Sequence, residues 1–442
     1  MRKANEIRSV KSQLLNWPKR GGPCAAVVLV LLAGKLSSSR GQEAVRMSIA
    51  SAEAAEARRR AATSIGYYNL KLGPTAWNFG TGLGIEYNSN VQNTGSNPEG
   101  DFIFRPQMNT RMRWPVSDMN SINLTLGGGY SAYVKHSELD RAFITPGSEL
   151  SFDLYVGEFW INLHDRFSIT ENSYQDPTVA GSGNYAQFQN ALGVATTWDM
   201  NKTIVKVGYD HVNYDTLNGG GGQGSSGQPS GYSEVFSSSA GYALKPGMLA
   251  GVELGGSLIN YTTATTTTPY NNAKQWNVGG FYATPVSEYI HFVAHAGYTV
   301  YSPDSGGTTT TSGDFSGLYA QADVAHQVNQ YVAYSLSGGR NISVAFSGGT
   351  VERYFARWQA NRQIVRKMTL GTSFSYENGT QLTGFAGSTE TYNQYGPGIS
   401  LSRPITAKLS SSLGYQLYWR DSNLAGRNYT VNVVSLNLNY TF

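Results

Sequence analysis

Residues 77–88 read WNFGTGLGIEYN, and in this stretch apolar side chains alternate with small or polar ones. Successive side chains of a β-strand point to opposite faces, so an extended backbone places five apolar residues on one face. These residues are Trp77, Phe79, Leu83, Ile85 and Tyr87. The other face carries glycine, asparagine and Glu86. Such a strand separates an apolar environment from an aqueous one.

The same alternation recurs along the rest of the chain, for example in 159–170 (FWINLHDRFSIT). No segment after residue 76 has helical periodicity. The pattern predicts strands over 77–88, 101–114, 121–133, 147–156, 159–170, 185–198, 203–214, 232–244, 249–261, 273–284, 289–301, 315–326, 331–342, 351–360, 366–377, 390–402, 407–419 and 429–442.

The connections between these strands alternate in length. Tight turns such as Gly157-Glu158 and 245–248 alternate with long polar loops such as 89–100, 171–184 and 215–231. Short turns at one end and long loops at the other are typical of outer-membrane barrels, which close because hydrocarbon offers no partner for a free sheet edge. We therefore predict an all-β chain: a closed antiparallel up-and-down transmembrane β-barrel of about 18 strands (roughly 16–20), with periplasmic N- and C-termini.

The composition excludes several other classes. Charged residues make up 14% of the chain, against about 25% in an ordinary soluble domain. With 33 Lys+Arg against 29 Asp+Glu the net charge is only +4, so no nucleic-acid partner is expected. The aromatic content of 12% argues against a disordered chain, and the single cysteine excludes a disulfide scaffold.

The N-terminal region has two predicted parts. Residues 1–41 have a basic start, an apolar core over 24–33 and small residues before Gln42, which is typical of a signal peptide; a signal anchor is the alternative. Residues 42–75 are predicted to form a periplasmic segment in which 43–63 could form a helix. This segment is either a solvated tail or a plug of the pore. Residues 76–442 then form the barrel.

The C-terminal strand ends in LNLNYTF, with Leu438, Tyr440 and Phe442 on one face. A terminal Phe preceded by this alternation resembles the signal that the barrel assembly machinery reads on its substrates. We also expect contacts with outer-membrane lipid and lipopolysaccharide, because Trp and Tyr near strand ends form girdles at membrane interfaces.

The start of the barrel resembles a known family. Gly73-Pro74, Trp77, the stretch 84–90 (GIEYNSN) and 101–115 are similar to the first hairpin of the putative β-barrel porin 2 family. This resemblance implies an outer-membrane barrel, sometimes linked to exopolysaccharide export, and no agreed catalytic residues.

The polar strand faces hold charges that we expect to line an aqueous lumen. The cations are Arg105, Arg111, Arg113, Arg166, Lys206, Arg353, Arg357, Lys367 and Lys408, and the carboxylates are Glu86, Asp153, Asp210, Glu253, Asp323 and Glu377. This mild cationic excess has two interpretations: a weakly anion-preferring constriction at Arg105, Arg111, Arg113, Arg353 and Arg357, or a solvated wall without ranked residues. The pore-lining candidates are these five arginines with Arg166, Glu86 and Asp153.

Three functions remain open at this stage. The first is a porin-like channel for passive passage of small polar solutes or a secreted glycan, without catalysis and without a cofactor. The second is a non-conducting structural or surface-binding barrel. The third is an outer-membrane hydrolase using His164 and Asp165, although neighbours on a strand point to opposite faces. No metal site is expected, since His291 and His295 on one strand lie about 13 Å apart. The sequence does not indicate the oligomeric state.

Overall fold

The computed structural model describes residues 68–171, 173–178, 180, 186–217, 230–262, 272–304, 315–344, 350–365, 367–381 and 389–442. Most of these residues lie in β-strands. The predicted signal peptide (1–41) and the helix expected over 43–63 lie outside the described residues.

Nineteen strands are present in the part of the chain that the structure describes, with two short 3₁₀ turns at Ser137–Leu139 and Ser173–Gln175. In chain order the strands are β1 (Leu70–Leu72), β2 (Thr75–Asn88), β3 (Asp101–Pro115), β4 (Ser121–Tyr133), β5 (Arg141–Val156), β6 (Phe159–Thr170), β7 (Gln187–Met200), β8 (Thr203–Thr216), β9 (Gly231–Lys245), β10 (Met248–Tyr261), β11 (Ala273–Pro285), β12 (Ile290–Pro303), β13 (Phe315–Asn329), β14 (Val332–Val344), β15 (Thr350–Val365), β16 (Met368–Gln381), β17 (Glu390–Pro404), β18 (Leu409–Ser422) and β19 (Tyr429–Thr441).

The sheet closes on itself. Each strand from β2 to β19 pairs antiparallel with its neighbours in sequence, and β19 pairs with β2 from Val433↔Asn88 to Thr441↔Gly80. The three-residue β1 pairs only with the start of β2, as a short hairpin beside the wall. The structure therefore confirms a closed antiparallel up-and-down barrel of eighteen strands, to which it adds one short strand that the sequence pattern did not predict.

The two faces of the wall differ as the alternation predicts. On β3, Phe102 and Met108 are about half exposed on the outer face, with 51% and 54% of their surface accessible. Their neighbours Asp101 and Ile103 are buried on the inner face. An outer face of exposed apolar side chains fits a surface that contacts lipid, whereas the inner face carries most of the charged strand residues.

The two ends of the barrel have different connections, and we call them the short-turn end and the long-loop end. At the short-turn end, Pro246-Gly247 joins β9 to β10, and Gly247 adopts a φ of +80°. A proline followed by a residue with positive φ favours a type II turn, which requires glycine at the second position. Gly157, with a φ of +62°, has the same freedom in the two-residue turn between β5 and β6.

The largest deviation from the predicted strand bounds is in β5. The sequence pattern predicts a start at residue 147, but the strand begins at Arg141 and its register shifts between Ile144 and Ser148. Pro146 has no N–H to donate, and Gly147 has a φ of +97°. This irregularity hides the alternation in the first half of the strand.

Among the described residues buried apolar side chains are few, and most of those on the strands lie on the inner wall toward the long-loop end. Separate small clusters occur there, such as Ala191, Val212 and Val235. Within the described residues, no helix is long and apolar enough to cross a membrane.

We predict that a charge on the outer face at mid-strand destabilises the barrel, whereas the same charge on the inner face does not. Leu336 is about half exposed on the outer face of β14, and its neighbour Ser335 faces inward. Leu336→Arg should lower the free energy of unfolding by about 2–4 kcal/mol, the cost of an arginine at the bilayer midplane. Urea unfolding in lipid vesicles measures this loss. Ser335→Arg is the matched control, and an equal loss in both variants would contradict the assignment of the two faces.

Candidate channel constriction

The connection between β6 and β7 does not stay at the rim of the barrel. The described residues of its first part, 171, 173–178 and 180, lie inside the barrel, and we call them the inward segment. A 3₁₀ turn at Ser173–Gln175 begins this course. Asp176 then accepts hydrogen bonds from the backbone N–H and the hydroxyl of Thr178, at 3.0 and 2.8 Å, which is an Asx-type turn.

The inward segment reaches strands that are not neighbours of β6. Tyr174 is buried in a cluster with Tyr429, Val431 and Val433 of β19, and its ring lies 5.2 Å from that of Tyr418 on β18. Around the wall, β19 is five strands away from β6. The segment therefore covers the inner wall between these strands and narrows the lumen.

Polar groups of β17, β18 and the loop after β18 hold the backbone carbonyls of the inward segment. Gln394 Nε2 donates to the Tyr174 carbonyl at 3.1 Å, and Arg420 Nε donates to the Pro177 carbonyl at 2.8 Å. Arg427 Nη2 and Nη1 donate to the carbonyls of residues 178 and 180, at 3.3 and 3.4 Å. These contacts fix the backbone of the segment at several points in succession.

The two arginines of this tether share one carboxylate. Glu390 accepts from Arg420 Nη2 at 2.7 Å and from Arg427 Nε at 2.9 Å. Arg420 and Glu390 are almost completely buried, and the Arg420 guanidinium lies 4.6 Å from the centre of the Tyr392 ring. Removing one partner of a buried ion pair strongly destabilises a protein, because the remaining buried charge is uncompensated. The docking of the inward segment therefore depends on this pair.

The start of the inward segment is held on the other side of the β19–β2 pairing that closes the barrel, which we call the seam. Glu171 accepts hydrogen bonds from Arg105 Nε on β3, at 3.2 Å, and from the hydroxyl of Ser131 on β4. Arg105 also pairs with Glu86 on β2. The segment is thus fixed at both ends by charged groups of the wall.

A polar cavity of about 420 Å³ lies against the inward segment. Tyr174, Gln175 and Pro177 of the segment form one side. The wall contributes hydroxyl and amide side chains from Ser335, Ser337, Gln359, Asn361, Ser373, Ser375, Gln394, Ser400, Gln416 and Ser435, and the charged side chains of Glu86, Arg357 and Glu377. Apolar surface, for example from Val433 and the tyrosine rings, completes the lining, so neutral hydrogen-bonding groups and apolar surface share the wall beside the segment.

Burial changes the titration of two groups in the inward segment. It raises the pKa of the Asp176 carboxyl to about 6, although the hydrogen bonds from Thr178 act in the opposite direction. Burial also raises the pKa of the Tyr174 hydroxyl well above its usual value. Because an ionised Asp176 is disfavoured at this position, the docked segment prefers the protonated carboxyl.

The structure places all eight pore-lining candidates on the inward strand face. Three of the arginines are engaged in ion pairs: Arg105 with Glu86 and Glu171, Arg166 with Asp210 at 2.6 Å, and Arg353 with Glu377 at 3.3 Å. These charges are neutralised locally by the wall.

The other candidates lie elsewhere on the wall. Asp153 accepts hydrogen bonds from Asn162 and Asn123 at 2.7 and 2.9 Å, and the Arg357 guanidinium lies 5.1 Å from the centre of the Phe355 ring. Arg111 and Arg113 are exposed near the short-turn end of β3, which is six strands away from β15. The arginines of the expected constriction therefore do not form one cluster.

The cationic excess expected for the inner face is wrong. Lys367 and Lys408 lie in connections between strands and not on the wall. The charges expected on the inner face from the sequence did not include three carboxylates that face inward, namely Asp101, Glu149 and Glu390. With these and two further inward arginines, Arg141 and Arg420, cations and carboxylates are in near balance.

Sequence reasoning missed the inward segment and its tether. Glu171, Tyr174 and Asp176 belong to a connection that the pattern indicates only as a long loop. The one available signal was its composition, since it contains Tyr, Gln, Asp and Pro where other long loops are mostly Gly, Ser and Thr. That signal does not indicate which strands the loop contacts.

The structure also shows where the residues of the hydrolase hypothesis and of the expected assembly signal lie. His164 faces inward and contacts Asp210 at 2.7 Å, while Asp165 lies on the outer face beside Asn190. They therefore cannot act together on one substrate. Leu438 and Tyr440 face outward, and Phe442 donates its backbone N–H to the Phe79 carbonyl at 3.2 Å, across the seam.

We predict that the inward segment docks more tightly at pH 4 than at pH 7.5. The pKa of Asp176 is raised from about 3.8 in the free state to about 6 when docked, so docking is strongest below the free-state pKa and weakens as the pH rises toward 6. Ala180→Cys, labelled with an environment-sensitive dye, reports the docking. Asp176→Asn retains the acceptor oxygen and should remove this pH dependence. The same pH response in both proteins would contradict the assignment.

Comparison with known proteins gave one family and several distant structures. The family model described as putative beta-barrel porin 2 matches residues 80–442. No curated protein matches the chain significantly.

The solved structures that are similar to the chain are porin-like barrels at 9–11% identity. OpdL of Pseudomonas aeruginosa has 11% identity and a TM-score of 0.46, and the match covers 84% of this chain and 99% of that chain. OccK2 (OpdF) of the same organism has 10% identity and a TM-score of 0.48, with coverage of 84% and 98%. A BenF-like porin from Pseudomonas fluorescens has 9% identity and a TM-score of 0.48, with coverage of 84% and 100%.

These similarities are too low to transfer any residue or substrate, and the fold is established by the strand pairing of this chain itself. The family match spans the whole barrel, from the middle of β2 to the final residue. The chain belongs to the putative beta-barrel porin 2 family and is a porin-like β-barrel protein of the bacterial outer membrane.

Proposed function

We propose that this barrel is a passive channel for small polar solutes and that the inward segment forms its constriction. The observation that carries this proposal is the docking of the inward segment across the inner wall, beside a cavity of about 420 Å³ whose lining includes many hydroxyl and amide groups. A loop folded into a wide barrel limits the size of the solute, and the polar groups beside it can replace part of the solute's hydration.

The buried histidines support a channel without catalysis. His164 is paired with Asp210, and His295 is paired with Glu253 at 2.8 Å. The side chains of both histidines are at most 4% exposed, so a substrate in the lumen does not reach them. A general base must lie within hydrogen-bonding distance of the proton that it removes.

We place the short-turn end and both termini in the periplasm, because outer-membrane barrels have short periplasmic turns and longer external loops. In this orientation the constriction lies nearer the external mouth. Leu438, Tyr440 and Phe442 then present an apolar and aromatic edge to the assembly machinery, and the outer aromatic side chains contact lipid and lipopolysaccharide. The link to exopolysaccharide export that the family resemblance implied has no support from the comparisons.

We further propose that the channel has only a weak ion preference and that Arg111 and Arg113 are its source. Arg105, Arg166 and Arg353 form buried or half-buried ion pairs in the wall. Arg111 and Arg113 lie exposed on the inner face, near the short-turn end of β3. Exposed cations along a water-filled lumen attract anions.

Planar bilayer recording tests the channel directly. The wild-type protein should give discrete single-channel currents after insertion. Glu390→Gln should increase the single-channel conductance and its fluctuation, because it leaves Arg420 buried beside a neutral group and weakens docking by about 3–5 kcal/mol.

Arg403→Met is the matched control for this experiment, since Arg403 is exposed at the short-turn end of β17, far from the tether. Its conductance should equal that of the wild type. Clean insertion without any current would contradict the channel and favour a non-conducting barrel. An unchanged conductance in Glu390→Gln would contradict the role of the inward segment.

The ion preference is tested by the reversal potential in asymmetric KCl. The wild type should show a slight preference for chloride, and the double variant Arg111→Gln/Arg113→Gln should shift the reversal potential toward that of a cation-preferring pore. A cation preference in the wild type would refute the assignment of these arginines.

A further inference from the structure

We infer that the cavity beside the inward segment is a binding site for an uncharged, hydroxyl-rich solute of the size of a monosaccharide or disaccharide. This inference rests on the proposed channel and adds the chemical class of its solute. The cavity of about 420 Å³ lies in the lower part of the range of about 300–1,000 Å³ that is typical of small-molecule sites.

Some polar side-chain atoms in the wall of the cavity have no hydrogen-bond partner within the described part of the protein. Gln394 Oε1, Glu86 Oε1 and Asn361 Nδ2 are buried and have no hydrogen-bond partner among the described residues. All three side chains line the cavity. Because these atoms are buried just behind the cavity surface, a solute reaches them only when the side chain rotates. A buried polar group without a partner costs free energy, so a rotation that pairs it with a solute is favoured and the solute gains affinity. Two of these atoms accept hydrogen bonds and the third donates.

The remaining lining groups are mostly hydroxyls and amides, such as Ser373, Ser375 and Gln359. A hydroxyl donates one hydrogen bond and accepts others, and an amide does both through different atoms. The solute that fits such a wall also donates and accepts at each of its groups. Sugars and other polyols have this property, whereas ethers and esters only accept.

The charges of the cavity wall are already compensated, which argues against a charged solute. Glu86 is paired with Arg105, and Glu377 is paired with Arg353 and accepts a hydrogen bond from Tyr392 at 2.9 Å. The third charged side chain, Arg357, lies over the Phe355 ring in a cation–π contact. A charged solute would lose hydration in exchange for side-chain charges that already have partners within the protein.

The rim of the cavity adds aromatic surface. Tyr174 and Tyr418 both line it, with ring centres 5.2 Å apart and planes inclined by 50°. Aromatic rings offer apolar area at a low cost in side-chain entropy, and the C–H faces of a sugar ring can pack against them. Because Tyr174 belongs to the inward segment, the solute would contact the constriction and the fixed wall together.

Sucrose is the probe for this site. In planar bilayers, sucrose should cause a saturable reduction of the single-channel current at millimolar concentrations. A polyethylene glycol of equal hydrodynamic radius accepts hydrogen bonds but does not donate along its chain, and it should reduce the current only in proportion to its concentration. Glucuronate and glucosamine, charged pyranose sugars of similar shape, should act more weakly than glucose.

Asn361→Leu removes the donor that has no partner among the described residues. It should raise the half-saturating sucrose concentration by about three- to tenfold, the effect of one lost hydrogen bond. Gln363→Leu is the matched control. Gln363 faces inward two residues further along β15, and it is not among the residues that line the cavity. Its half-saturating concentration should equal that of the wild type.

Saturation-transfer NMR with sucrose on the detergent-solubilised protein separates this inference from the channel proposal, because it detects binding without requiring a current. Binding that is weakened about three- to tenfold in Asn361→Leu supports the site even if the barrel does not conduct. A conducting channel that shows no sucrose signal, or that binds glucuronate more than tenfold better than glucose, would overturn the site while leaving the channel intact.

Discussion

The structure depends on one constraint, which is that every backbone N–H and C=O group inside a membrane needs a partner within the protein. The pairing of β19 with β2 meets this constraint, because it removes the two free edges that an eighteen-stranded sheet would otherwise have. Closure then divides the side chains into an outer set facing lipid and an inner set facing the lumen. The inner set is free to carry charges, hydroxyls and amides, and the proposed function follows from that freedom.

A wide barrel with a polar interior needs a further element to select among solutes. In the channel that we propose, the inward segment is that element, and its position depends on groups from distant parts of the chain. Glu390 and Arg420 are buried with almost no exposure. Such a pair contributes little net stability compared with apolar packing, but it defines one geometry strongly, since other arrangements leave a buried charge alone. We regard specificity of docking as the reason for a charged tether at this position.

Much of the fold could be predicted from the sequence because side-chain period and strand geometry are directly linked. Each of the eighteen predicted strands corresponds to an observed one, and the main errors are the start of β5, where Pro146 and Gly147 interrupt the pattern, and the short β1. The inward direction of Arg105 and Glu86 was also predictable from the alternation of side chains along a strand. Their ion-pair partners were not predictable, because the alternation gives the face on which a residue lies but not which residues approach that face.

The sequence by itself determined the class of the protein: alternation with period two and loops of alternating length specify a closed membrane barrel and its two faces. These features are local, so no tertiary contact is needed to detect them. Only the tertiary structure shows where the inward segment lies in the lumen and which charges of the wall form ion pairs with one another. The inward segment meets residues between 390 and 433 across the interior of the closed barrel, and contacts separated by more than 200 residues leave no periodic signal in the chain.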